Sequence, residues 1–132
     1  MSHNQKLGTY ILHFPIAAVP YTRVGTSRFG FKFIPKKETE YRSTLRKLAL
    51  PQWRIKPLTT PLKVDIIFSF VKAKSSKLSH HIKRPDASNL IKSVEDTFNK
   101  ILWEDDCQII ELHARKIFGP EDSITLQITE IV

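Results

Sequence analysis

Three aspartates bracket a single amphipathic segment of this 132-residue chain. Asp86 stands in Arg84-Pro85-Asp86-Ala87-Ser88-Asn89-Leu90-Ile91-Lys92, and Asp105 and Asp106 stand in Trp103-Glu104-Asp105-Asp106-Cys107-Gln108-Ile109. Carboxylates drawn from separate elements suit metal-assisted hydrolysis of a phosphodiester. A hard divalent cation takes oxygen ligands and must keep positions open for phosphate and water. Asp86 and Asp106 are the ligand candidates. If Glu104 to Asp106 is extended, Glu104 and Asp106 point one way and Asp105 the other, so Asp105 ranks below Asp106. Lys92 lies one turn after Ser88 and is long enough to bring an ammonium to a phosphate near the helix start. Asp96 lies roughly 15 Å along a straight helix from Asp86, too far to share its ion, and its spacing to Lys92 and Lys100 suits surface pairing. Each residue also has a plainer reading. Asp86 can cap a helix, Asp105 and Asp106 can form an acidic turn, and Lys92 can simply pair with Asp96.

The positioning elements follow from periodicity. Tyr10, Leu12 and Phe14 alternate with Thr9, Ile11 and His13 as a half-buried strand that Pro15 ends. A long basic loop from Pro15 to Gly30 precedes a short strand at Phe31 to Ile34. Pro35 opens a helix carrying Tyr41, Leu45 and Leu48, and Pro51 stops it. Leu62, Val64, Ile66, Phe68 and Phe70 fall on alternate positions as the expected central strand. Lys72 to Arg84 shows no apolar period and reads as a mobile basic loop. From Ala87, residues Leu90, Ile91, Val94, Phe98, Ile101 and Leu102 form the stripe of a second helix. That helix alone holds its ends about 20 Å apart, so Asp106 approaches Asp86 only if the next strand returns alongside it. Ile110, Leu112 and Ala114, then Ile124, Leu126 and Ile128, alternate about a Gly119-Pro120 turn and read as a terminal β-hairpin.

Charge distribution narrows the class of partner. Residues 1–85 hold 17 Lys or Arg against 3 Asp or Glu, whereas residues 86–132 hold 4 against 10, within an overall net charge of +8. A protein that only coats nucleic acid has no use for carboxylates beside phosphates unless a cation separates them. Arg23 and Arg28 in the first loop, with Lys72, Lys74, Lys77, Lys83 and Arg84 in the second, are the phosphate-contact candidates, and neither loop carries a base-reading motif. The alternative for both is a solvated charged loop. His80 and His81 lack partners at metal-ligand spacing and read as surface residues. The single cysteine, Cys107, excludes an internal disulfide and a multi-thiolate zinc site, and it reads as a small buried side chain in a reducing compartment. The stretch Ile66 to Val71 is far shorter than the roughly 18 apolar residues a membrane span needs.

Taken together, Arg84-Pro85-Asp86-x-Ser88-Asn89-Leu90-x-Lys92, then Asp96, then Asp105-Asp106-x-Gln108-Ile109 resembles the RusA-type Holliday junction resolvases, small endonucleases that cut four-way DNA junctions. The resemblance implies that Asp86 and Asp106 bind divalent metal, that Lys92 is needed for cleavage, and that Ser88 occupies a position where the family usually has a third aspartate. A hydroxyl there weakens metal binding unless Asp105, Glu104 or water replaces it, and Ser88 can alternatively cap the helix. The expectation is one α+β domain over residues 1–132, with a mixed or antiparallel sheet of about five strands and two helices. It would act in the cytoplasm, at the nucleoid, as a magnesium-dependent endonuclease with manganese as the alternative ion. A homodimer is expected, because a near-two-fold junction calls for two active sites. The rival readings are a junction-binding protein whose cleavage is weakened through Ser88, and a basic RNA-binding module with structural acids.

Overall fold

The computed structural model describes residues 7–22, 25–26, 30, 32–33 and 35–132. The chain runs β1 (Thr9–Phe14), β2 (Gly25–Thr26), β3 (Lys32–Phe33), α1 (Lys36–Ala49), β4 (Leu62–Val71), α2 (Ala87–Phe98), β5 (Ile109–Gly119) and β6 (Ser123–Glu130). The main sheet has four strands in the order β1-β6-β4-β5, and β2 and β3 form a separate two-stranded ribbon. The fold is therefore α+β with a mixed sheet. The short strand expected near Phe31 to Ile34 belongs to the ribbon, so the sheet holds four strands where about five were expected.

The terminal hairpin is corrected. β5 pairs with β4 in parallel, β6 pairs with β4 antiparallel, and β4 lies between them. The Gly119-Pro120 turn does reverse the chain, but it carries it across the end of β4, where Asp122 Oδ1 accepts the Val71 N–H at 2.9 Å. Parallel neighbours require a crossover rather than a tight turn, and α2 supplies it between β4 and β5.

Alternation along β4 sets the layers. Leu62, Val64, Ile66 and Phe68 are buried on one face, joined by Leu12 and Phe14 of β1 and by Ile124, Leu126 and Ile128 of β6. Tyr41, Leu45 and Ala49 of α1 and Leu90, Val94 and Phe98 of α2 belong to the same core. The Phe14 and Phe98 rings lie 5.5 Å apart, and burying such a side chain contributes roughly 1.5–3 kcal/mol. Behind α2, Lys100 adopts φ 70°, a left-handed turn residue, and Trp103 is fully buried with its indole N–H donated to Asn99 Oδ1 at 2.8 Å. This anchor fixes where the acidic turn leaves the helix.

Candidate active site

Asp86 is the N-cap residue of α2 by backbone geometry, with φ −71° and ψ 138°, yet its side chain makes no capping hydrogen bond. Only its carbonyl serves the helix, accepting the Leu90 N–H at 3.1 Å. The carboxylate is 56% exposed and 4.0 Å from the Arg84 guanidinium. The capping role that accounts for most aspartates in this position is therefore not its role. Ser88 is the second residue of the helix and exposed, so it is not the cap either.

At the other end of α2, the acidic turn is not extended as expected. Asp105 has extended backbone, but Asp106 begins a single 3-10 turn over Asp106–Gln108. Asp105 Oδ1 accepts the Cys107 N–H at 3.0 Å, while Gln108 Oε1 accepts the Asp105 N–H at 2.8 Å. This reciprocal capping box assigns Asp105 to structure and leaves Asp106 unassigned. Asp105 and Asp106 differ here not by strand alternation, which this turn lacks, but because Asp105 is engaged in the capping box. Gln108 also donates to the Leu58 and Thr60 carbonyls at 2.9 and 3.0 Å, tying the turn to the chain that enters β4.

The two carboxyls interact. A hydrogen bond to Asp105, partial burial and the Asp105 charge push the Asp106 carboxyl up, and Lys92 opposes this. Asp105 moves down, held ionised first by the Cys107 backbone N–H. The Glu95 carboxyl is raised by burial and then by Asp106. Ser88, Lys92 and Glu95 share one ridge at four- and three-residue spacing, and Asp106 lies beside its later part. Sequence reasoning missed Glu95, although it sits seven residues after Ser88 and three after Lys92, in helical phase with both.

Lys92 is half exposed, donates to Asp96 Oδ1 at 3.2 Å and lies 5.6 Å over the Tyr21 ring. The Asp96 contact, followed by charges that include Asp106, holds its ammonium protonated beyond the usual range. Lys92 thus pairs with Asp96, as its plainer reading has it, and also feels the Asp106 charge. Lys100, by contrast, pairs with Glu104 at 3.5 Å and not with Asp96.

A buried relay sets this face of α2. Glu38, 2% exposed, accepts from Arg42 at 2.9 Å and from the Thr22 hydroxyl at 2.9 Å. Arg42 continues to Asp96 at 3.6 Å. Beside it, the Tyr21 N–H donates to the Asn89 carbonyl at 2.9 Å. The same loop helps to line a cleft of about 440 Å³ with Lys37, Arg84, Asp86 and Asn89.

Of the expected phosphate contacts, Arg23 and Arg28 lie outside the described residues. Lys72, Lys74, Lys77, Lys83 and Arg84 are exposed on the irregular segment between β4 and α2. A cation that sequence reasoning overlooked organises its end. Lys116 of β5 donates to the Lys83 and Pro85 carbonyls at 2.8 and 2.9 Å, pinning the turn that presents Asp86. Its phase with Ala114 and Phe118, on the side of the sheet that carries the helices, was the available signal. Two further expectations change. Cys107 is exposed, because the 3-10 turn rotates it outward. His81 is packed between Phe70 and Phe118 at centroid distances of 4.4 and 5.4 Å, while His80 is exposed as expected.

Among the described residues, no three or more His, Cys, Asp or Glu side chains form a metal cage. Magnesium does not require one, since it is commonly held by one or two carboxylates together with water and substrate phosphate. The Asp86 carboxylate and the exposed Ser88 hydroxyl at the start of α2, and the Asp106 carboxyl beyond its end, are all oxygen donors. Oxygen donors of this kind suit a hard, hydrated divalent ion.

No helix is long and apolar enough to cross a membrane among the described residues. Residues 15–129 match the family model described as endodeoxyribonuclease RusA. The crossover junction endodeoxyribonuclease rusA of Lactococcus phage r1t is 34% identical over 73 residues, covering 54% of this chain and 56% of that protein. The uncharacterized protein YqaN of Bacillus subtilis strain 168 is 31% identical over 48 residues, covering 36% of this chain and 34% of that one. The matched region thus spans about half of the phage relative's length and about a third of the Bacillus one's.

Proposed function

Because the chain belongs to the RusA endodeoxyribonuclease family, we propose that it is a divalent-metal-dependent endonuclease, with magnesium the preferred ion, that cuts four-way DNA junctions symmetrically during recombination and repair. The observation that supports this best is the release of two acids from structural duty at the ends of α2. Asp86 caps nothing, and Asp105 takes the cap that would otherwise occupy its neighbour. Asp86 and Asp106, with the Ser88 hydroxyl, would hold the ion. When bound, that ion supplies Lewis acidity toward water and phosphate. Lys72, Lys74, Lys77, Lys83 and Arg84 guide the DNA backbone toward Asp86, a salt-sensitive and sequence-independent contribution. Lys92 offers its ammonium to the charge that builds on the phosphate, which requires it to leave Asp96 in part. Two copies acting on a near-two-fold junction would place one site on each continuous strand.

The test is nicking of a synthetic four-way junction with magnesium and with chelator. Asp86→Asn and Asp106→Asn each abolish cutting while junction binding stays nearly intact. Unchanged cutting in both variants removes the assignment. A second reading, of an attenuated enzyme, draws on the neutral Ser88 at the exposed start of α2. On that reading Ser88→Asp raises cutting or lowers the metal requirement, and equal or lower activity in a folded variant rejects it.

A further inference from the structure

A cavity of about 380 Å³ lies beyond Arg84, between the ends of β4 and β5 and the basic segment, lined by Phe70, Ala73, His81, Arg84, Phe118 and Asp122 among others. It takes no part in the hydrolysis described above. Its size lies toward the lower end of the roughly 300–1,000 Å³ range of small-ligand sites, suited to one planar heterocycle rather than a base pair. Its aromatic wall is the run Phe70, His81, Phe118. His81 Nδ1 is buried with no hydrogen-bond partner. Lys72 Nζ sits 5.5 Å over the Phe118 ring, and Arg84, 89% exposed in its side chain, reaches from this rim to within 4.0 Å of Asp86. An aromatic wall with a free polar atom under a cationic rim matches a nucleotide: base against the rings, phosphate on the cations. An apolar peptide would leave the rim charges unmatched.

We propose that this cavity receives a single unstacked nucleobase of the branched DNA, next to the phosphate presented to Asp86. The proposal rests on the nuclease reading for its substrate and is tested separately from it. Branch points supply such bases at low cost, since their stacking is already interrupted. Specificity for the branch then comes from unstacking, in keeping with the lack of a base-reading motif in the loop.

The test measures binding by fluorescence anisotropy, in chelator, of synthetic four-way junctions that each carry one abasic residue at a successive position around the branch. Wild type loses about tenfold in affinity at one position per symmetric arm, the scale of one base–aromatic stack, and little elsewhere. Ala73→Trp, which fills the cavity from the exposed segment, and Phe118→Leu, which removes an aromatic face, bind the intact junction about tenfold more weakly and show no further loss at that position. Unfolding curves confirm that each variant is folded. A flat abasic profile in wild type overturns the proposal, as does an unchanged profile in folded Ala73→Trp. Nicking of the same junctions with magnesium separates the two readings. Cutting with a flat profile removes the base pocket alone, and an abasic step without cutting keeps the pocket and removes the nuclease.

Discussion

Lys116→Met is the substitution that most directly asks whether the turn before Asp86 must be held for catalysis. The side chain keeps its length and apolar contacts but loses the hydrogen bonds to the Lys83 and Pro85 carbonyls at 2.8 and 2.9 Å. Hydrogen bonds involving a charged group contribute roughly 1.5–3 kcal/mol each. One of these is solvent-exposed and the other only partly buried, so a total of about 2 kcal/mol is the reasonable expectation. For a domain of this size that corresponds to a fall of roughly 8 °C in Tm, at about 4 °C per kcal/mol. Against a typical stability of about 5–15 kcal/mol the variant stays overwhelmingly folded at 25 °C. Global unfolding therefore cannot explain a lower rate. Displacing a positioned group by about 1 Å can cost on the order of 100-fold in rate, so kcat for junction cutting should fall by about that factor with KM little changed. Urea unfolding gives the first quantity and single-turnover nicking the second. A fall in Tm with an unaltered cutting rate would show that Lys116 braces the loop without positioning Asp86, and the reasoning fails.

Four further outcomes are expected. Asp86→Asn leaves Tm within about 1–2 °C of wild type, because no cap is lost, while junction nicking disappears; a large drop in Tm would expose a structural role. Asp106→Asn flattens part of the pH dependence of Tm. A carboxyl raised in the folded state holds a proton that the unfolded chain releases, so wild-type stability declines as pH climbs from the ordinary aspartate value through the raised one, and the variant lacks that decline. Asp105, shifted down, acts oppositely and only below the ordinary value, so the comparison belongs above about pH 4. Glu38→Ala strands the Arg42 guanidinium and frees Thr22, costing roughly 2–4 kcal/mol with Asp96 as the remaining counter-ion, read from urea unfolding. Lys100→Gly relieves a left-handed backbone cost of about 1–2 kcal/mol against glycine's extra flexibility of about 0.5–1, for a modest net rise in Tm.

The elements were legible because their signals are local. Alternation marked β1, β4 and β6, and the Leu90, Val94, Phe98 stripe marked α2 together with the face it buries. Pairing was not legible in the same way. Ile110 to Ala114 and Ile124 to Ile128 alternate alike whether they join each other or flank a third strand, and only the β4 crossover decides. Around the site, chain order located Asp86 and Asp106, but their availability depends on bonds that side chains choose in three dimensions. Asp105 competes for the Cys107 N–H, and Asp86 leaves its helix uncapped. Lys116 and Glu95 were hidden because each becomes relevant only through a neighbour distant in sequence or across a turn. Cys107 was misjudged because average burial of its residue type says nothing about one 3-10 turn.

The twelve residues of α2 act as a spacer of defined pitch between the two acids proposed to hold the ion. At 3.6 residues per turn, a single inserted residue between Asp86 and Lys92 would advance everything downstream by about 1.5 Å and swing it through about 100°. The lysine would leave the Tyr21 ring, and the buried stripe would leave the sheet. This segment can accept exchanges of side chain but not a change in count, so its length, more than any one of its surface residues, is the quantity that natural variation in this protein is least free to alter.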